Sequence, residues 1–231
     1  MRFCFEPRPQ PSVAVADDES LYPVDRIFCI GRNYAAHAAE MGNTVDRTAP
    51  FFFTKSPCHL AKQGDPLPYP PGTSDYHHEV ELVVALGKPL FRAEPSSVAD
   101  ALFGYAVGLD MTRRDLQAQA KDKRRPWDAG KDVENSAIIG PLTRAKDWHA
   151  LQDSSIRLDV NGVTRQHAPL TEMVWTVEEL VAFLSSLYHL KPGDLIMTGT
   201  PAGVGPVGAG DALRASIDGL PTLEARIGDA E

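Results

Sequence analysis

The chain has 231 residues, 43% of them hydrophobic, which suits a single domain with a sizeable core. Its 31 acidic against 23 basic residues give a net charge of -8, which argues against nucleic acid or an anionic membrane as a partner. Cys4, Cys29 and Cys58 are odd in number and include no Cys-x-x-Cys pair, so neither a disulfide framework nor a structural zinc is expected, and with no basic leader or long apolar run the protein is expected to be soluble and cytoplasmic.

Short apolar runs alternate with Pro and Gly along the whole chain, and no repeat or linker divides it. One catalytic domain over residues 1–231 is expected, with residues 1–24 as an extension packed on its core. Residues 27–30 read as a strand leading into Gly31-Arg32-Asn33, and residues 34–41 have helical spacing. Residues 66–72 hold four prolines and cannot be central strand. Residues 74–86 read as a buried strand, residues 96–102 as a helix, 103–109 as a second buried strand and 112–123 as a helix with a charged face. A hairpin follows over 156–166 with Asn161-Gly162 at its turn, then an amphipathic helix over 176–187. A strand over 194–198 and a pair over 213–217 and 222–227 complete a strand-rich α+β pattern.

The chemistry begins where charge breaks the apolar pattern. In His78-Glu79-Val80-Glu81-Leu82-Val83-Val84-Ala85-Leu86 the alternation of a strand puts Glu79 and Glu81 on one face. Two desolvated carboxylates side by side cost several kcal/mol, about the price of an unpaired buried charge, unless something positive lies between them. Asp110, at the end of the second strand, supplies a third carboxylate. All-oxygen ligands suit a hard cation: Mg²⁺ first, with Mn²⁺ or Ca²⁺ able to fill the same site. His77 shares the face of Glu79 and Glu81. It reads as a non-ligand, although a non-haem iron oxygenase would use it with those two carboxylates.

Further polar residues surround this set. His37 and Glu40 are three apart on one helical face, where a carboxylate can hold an imidazole in a base-competent tautomer. Arg114 and Gln117 follow Asp110 by about one turn, and Lys131 lies in a Gly-flanked loop. The glycines at 203, 205 and 208 match a dinucleotide-binding pattern in letters only, since a proline interrupts them and no βαβ unit can follow.

The segments Gly31-Arg32-Asn33-Tyr34-Ala35-Ala36-His37, Phe52-Phe53-Thr54-Lys55, His78-Glu79-Val80-Glu81-Leu82, Leu109-Asp110-Met111-Thr112-Arg113-Arg114-Asp115-Leu116-Gln117 and Thr198-Gly199-Thr200-Pro201-Ala202-Gly203-Val204-Gly205 resemble, in order, the fumarylacetoacetate hydrolase family. The resemblance implies a mixed β-sandwich roll, usually dimeric, with Glu79, Glu81 and Asp110 binding Mg²⁺ or Mn²⁺. It implies that His37 and Glu40 activate water, that Lys131 joins them as a catalytic cation, and that Arg114 and Gln117 contact substrate. Thr200 would hold the substrate carboxylate, and Arg32 and Lys55 could meet a second one. The compact size looks most like the bacterial fumarylpyruvate hydrolases of gentisate breakdown, so the expected substrate is an acylpyruvate cleaved at a carbon-carbon bond. Related readings are an oxaloacetate decarboxylase and a 2-hydroxyhepta-2,4-diene-1,7-dioate isomerase/decarboxylase. One departure stands out: Gly130-Lys131-Asp132 replaces the family's usual Ala-Lys followed by a small or aromatic residue.

Overall fold

The computed structural model describes residues 2–42, 44–61, 64 and 66–230. Val80–Leu86 is buried at every position because it is a central strand covered on both faces. It lies antiparallel to Leu102–Asp110 on one side and to Asp194–Met197 on the other, within a seven-stranded mixed sheet. Asp194–Met197 runs parallel to Arg26–Gly31, and Phe51–Lys55 forms that edge. Ala137–Ile139 and Thr143–Arg144 pair with the other side of Leu102–Asp110.

The strand alternation sorts the side chains into two cores. Val80, Leu82, Val84 and Leu86 meet Phe28, Val107, Leu109 and Ile196 in the larger one. Against this face pack the helix Val177–Leu187 and a five-stranded sheet that contains the hairpin Ser155–Val160 and Val163–Pro169. The hairpin turns at Asn161-Gly162, with Asn161 at φ 52°. Thr176 caps the helix: its hydroxyl accepts from Glu179 N and the Glu179 carboxylate accepts from Thr176 N, a pairing typically worth about 1 kcal/mol. Val83 and Ala85 point the other way, into a second core with Ile27, Cys29, Ala106 and Met197. An N-terminal hairpin, Ser12–Ala14 and Leu21–Pro23, covers that face with Val13, Val15 and Tyr22, and the Tyr22 hydroxyl donates to Leu86 O at 2.8 Å. The result is a strand-rich α+β fold, a mixed β-sandwich roll.

Three expected elements take different forms. Residues 96–102 form two short 3-10 turns, Pro95–Ser97 and Ala99–Ala101, in place of one helix. The charged helix begins at Arg114, since Thr112–Arg113 is claimed as strand by pairing with Tyr76–His78. Within the proline-rich segment, Leu67–Tyr69 is a short edge strand.

A small third sheet shapes the site. Tyr76–His78 pairs with Thr112–Arg113 and Gly205–Pro206, so the chain leaves this sheet at Glu79 and enters the large one at Val80. The neighbouring strand makes the reverse passage at Met111. The two crossings lie side by side, and Asp110 N donates to Glu79 O at 2.8 Å across them.

Candidate metal centre and active site

Because Val80 stands opposite Leu109 and Glu81 opposite Gly108, Glu79 and Asp110 fall beside each other, with Glu81 next along the same face. This is the face of Val83 and Ala85, but at the end that the N-terminal hairpin leaves uncovered. Glu79, Glu81 and Asp110 are all buried, and each offers a carboxylate oxygen within 4.8 Å of the others. Burial would push the Glu79 carboxyl up, but the Lys131 and Arg114 cations outweigh it and hold the group well below the usual range. Glu81 behaves oppositely. Burial first, then the Asp110 and Glu79 carboxylates, push it well above the usual range, and only the Lys131 charge and the Gly199 N–H at 2.8 Å oppose them.

The charge pattern fits a hard divalent cation. Among the described residues Glu81 touches no cationic side chain. Asp110 Oδ1 has Lys55 Nζ 3.0 Å away but at an angle that makes no hydrogen bond, so this buried oxygen keeps its lone pairs uncommitted. Oxygen donors with unused lone pairs around an uncompensated carboxylate are what Mg²⁺, Mn²⁺ or Ca²⁺ requires. His77 stands apart from the cluster, between Asp75 (2.8 Å) and the Arg114 guanidinium (3.4 Å), so the two-carboxylate-plus-histidine iron site is not assembled.

Because Glu81 is raised, the metal-free protein keeps a proton there up to a higher pH than an ordinary glutamate does, and in that range a cation must displace it. Divalent-ion affinity is therefore expected to fall as the pH drops through the raised Glu81 value, with proton release on binding in that range and none above it. Calorimetric Mg²⁺ titrations in buffers of different ionisation enthalpy measure this. Affinity and heat that ignore both pH and buffer would contradict the assignment.

The basic residues divide by what they touch. Lys131 Nζ donates to Glu79 Oε2 and Asp110 Oδ2, each at 2.7 Å, so it is a counter-ion wedged between two of the carboxylates and also borders the cavity. Burial lowers its pKa, and the Asp110 and Glu79 charges raise it by more. The departure at Gly130 has a steric reason: a Cβ there would lie 2.8 Å from Gln117 N, so glycine lets the short helix Asp128–Lys131 close onto Arg114–Asp122. Arg114 donates to the Glu79 carboxylate and, at 2.6 Å, to Gln117 Oε1. Among the described residues that leaves the Gln117 amide NH₂ uncommitted at the cavity wall.

Lys55 corrects an expectation. It is 2% exposed and lies behind Asp110, donating to Met111 O at 3.1 Å, Ser136 Oγ at 2.7 Å and Lys131 O. It takes no part in the cavity wall, so it balances Asp110 and cannot receive a substrate carboxylate.

The His37 imidazole borders the cavity from the short helix Ala35–Glu40, its Nδ1 3.3 Å from Glu40 Oε2. The Glu40 carboxylate also accepts from Gly203 N, which ties this helix to the glycine loop. Burial lowers the His37 pKa more than the Glu79 and Glu40 carboxylates raise it, so the ring is neutral at pH 7. Thr200 borders the cavity with its hydroxyl hydrogen free to donate, since its oxygen accepts from Gln166 Nε2 at 2.7 Å. Arg32 also borders the cavity, its guanidinium 5.5 Å from the Phe51 ring.

Gln166 is a residue that sequence reasoning missed. It sits on a mostly exposed hairpin strand where only Ala168 is also buried, yet it is wholly buried and its Oε1 accepts from Val80 N at 3.1 Å, bracing the backbone beside Glu79 and Glu81. Phe53, Lys121 and Trp127, which also border the cavity, gave no signal beyond ordinary strand and helix composition.

Residues 26–228 match the family model described as fumarylacetoacetate (FAA) hydrolase C-terminal. A fumarylpyruvate hydrolase of Ralstonia sp is 46% identical over 193 residues, 83% of this chain and 100% of that protein. The oxaloacetate tautomerase YcgM of Escherichia coli is 38% identical over 199 residues, covering 86% of this chain and 90% of that one. The crystal structure of the Pseudomonas aeruginosa fumarylpyruvate hydrolase, in complex with Mn²⁺ and pyruvate, superposes with a TM-score of 0.95 at 41% identity over 100% of both chains. A matching family model over most of the chain, relatives of similar length and the same fold make one conclusion plain: the chain belongs to the fumarylacetoacetate hydrolase family.

Proposed function

We propose that this protein is a Mg²⁺-dependent acylpyruvate hydrolase that cleaves fumarylpyruvate to fumarate and pyruvate. The observation that carries the reading is the juxtaposition of a three-carboxylate site with the neutral, carboxylate-held His37 across one cavity. The 46% identity with a fumarylpyruvate hydrolase, and the pyruvate and Mn²⁺ held by the structural relative, support it.

Glu79, Glu81 and Asp110 would hold the cation, which supplies Lewis acidity at the 2-oxo acid end of the substrate. The uncommitted Gln117 amide and the Thr200 hydroxyl donate to that end and orient it, with the Arg114 charge beside them. Glu40 fixes the proton of His37 on Nδ1, leaving Nε2 as a base for water. His37 Nε2 takes a proton as the water oxygen adds to the acyl carbonyl carbon. The bond between that carbon and the methylene of pyruvate then breaks, its electron pair stays with the pyruvate fragment, and His37 returns the proton to the methylene carbon. Donors aimed at the developing charge are worth a few kcal/mol in such a step.

The test is product analysis on Mg²⁺-loaded enzyme with fumarylpyruvate, acetylpyruvate and oxaloacetate. Fumarate and pyruvate in equal amounts are expected from the first. The relation to an oxaloacetate tautomerase favours one rival, and conversion of oxaloacetate alone would move the assignment to it.

A further inference from the structure

The edge strand Phe51–Lys55 alternates, so Phe51 and Phe53 share a face. Gly31 stands opposite Phe51, and a Cβ there would lie 2.6 Å from Phe51 Cδ1, so the ring can fold over the strand only because residue 31 is glycine. Trp127 packs on both rings, with centroids 4.8 Å from Phe51 and 6.0 Å from Phe53. The three rings make one aromatic wall, of which Phe53 and Trp127 border the cavity and Phe51 is the exposed end.

Three cations rest on that wall. Lys131 Nζ is 5.0 Å from the Phe53 ring, Lys121 Nζ is 4.8 Å from the Trp127 ring, and the Arg32 guanidinium stacks on Phe51. Lys131 has two carboxylates in contact. Lys121 and Arg32 have none among the described residues, and each cation rests on an aromatic face. Arg32 is also held at φ 61°, a left-handed backbone that costs a non-glycine residue about 1 kcal/mol or more and that tends to persist at functional positions. Burial and then the Arg114 charge lower the Lys121 pKa, with Glu79 opposing and the Arg32 and Lys131 charges adding to the lowering, so cations outnumber the carboxylate around this end. The cavity is thus acidic where the carboxylates cluster and cationic along the far part of the wall. A ligand that complements it carries a 2-oxo acid at one end, a flat unsaturated middle and an anion at the other end.

We propose that Lys121, together with Arg32, is the receptor for a terminal carboxylate on the acyl group, and that it sets the preference of the enzyme for acylpyruvates whose acyl part is itself an acid. This rests on the acylpyruvate reading above. Fumarylpyruvate fits, its conjugated double bond lying on the Phe53 and Trp127 part of the wall and its distal carboxylate reaching Lys121 and Arg32. Acetylpyruvate, with a methyl group instead, forgoes the contact.

The experiment compares kcat/KM of wild type, Lys121→Met and Lys121→Arg on fumarylpyruvate and acetylpyruvate. Methionine keeps the apolar stem on Trp127 and removes the charge. Lys121→Met is expected to lose about 10- to 100-fold on fumarylpyruvate, the usual range for a charge-assisted hydrogen bond, and far less on acetylpyruvate, with Lys121→Arg recovering most of the loss. Equal losses on the two substrates, or no loss on fumarylpyruvate, would overturn the proposal. If wild type cleaves neither substrate, the acylpyruvate reading falls by itself. Calorimetry with fumarate and with crotonate on Mg²⁺-loaded protein then decides: fumarate binding weakened by Lys121→Met while crotonate is unchanged sustains the receptor, and equal binding of the two acids refutes it.

Discussion

Glu81→Ala is expected to abolish divalent-ion binding and turnover together, with Mg²⁺ affinity by calorimetry falling more than about 100-fold, since even outer-shell partners of a metal cost 10- to 100-fold when lost. Glu81 is the most informative of the three carboxylates to remove. Taking away Glu79 would strand the Arg114 cation and halve the partners of Lys131, and taking away Asp110 would strand Lys55 and halve them likewise, so either variant could fail for want of a buried counter-charge. Glu81 leaves only the Gly199 N–H without its acceptor, a cost of about 1–3 kcal/mol. Against this, the variant relieves the repulsion that pushes the Glu81 pKa up. The two effects oppose, so the metal-free unfolding midpoint should stay within a few degrees of wild type, as circular dichroism can show. The difference should appear on adding Mg²⁺, which raises the midpoint of wild type by mass action and leaves the variant where it was. A variant that binds the ion as tightly as wild type would remove Glu81 from the site.

What could be read in the chain, and what could not, follows from the range of each physical rule. Strand alternation is local, so Glu79 and Glu81 could be assigned to one face from the letters alone, and Asp110 could be placed at the end of a buried run. That Asp110 lies against Glu79 needed the register between two strands and the paired crossing into the third sheet. Lys55 shows the limit more sharply. It shares a strand face with Phe53, but that ring borders the cavity whereas Lys55 lies behind the carboxylates, and depth along a face leaves no mark in the sequence. Gln166 was hidden for a similar reason: its strand reads as exposed, and only the packing of the hairpin against the Thr200 turn buries that one amide. Lys121 looked like one charge among several on a helix until Trp127 was found beneath it.

His37→Ala should separate chemistry from metal binding. Its ring approaches Glu40, not the ligand oxygens, so Mg²⁺ affinity should remain close to that of wild type while kcat falls by about 10²- to 10⁴-fold, the usual contribution of a positioned general base. The pH profile adds a test with a definite sign. Burial keeps His37 below its ordinary 6.5, so kcat/KM of wild type should hold its plateau down through that value and fall only at lower pH, as the ring gains a proton. Glu40 is one of the groups that raise the His37 pKa, so Glu40→Gln should move this acid limb to still lower pH while reducing the plateau, because the ring loses the partner that fixes its tautomer. Glutamine keeps an oxygen that can accept from Gly203 N, so the loop contact survives and the change can be ascribed to charge. Residues acting as one unit are not additive, and the double variant should be no slower than His37→Ala alone. An acid limb that stays in place in Glu40→Gln, or a further loss in the double variant, would mean that the two side chains act apart and that the base for water is another group.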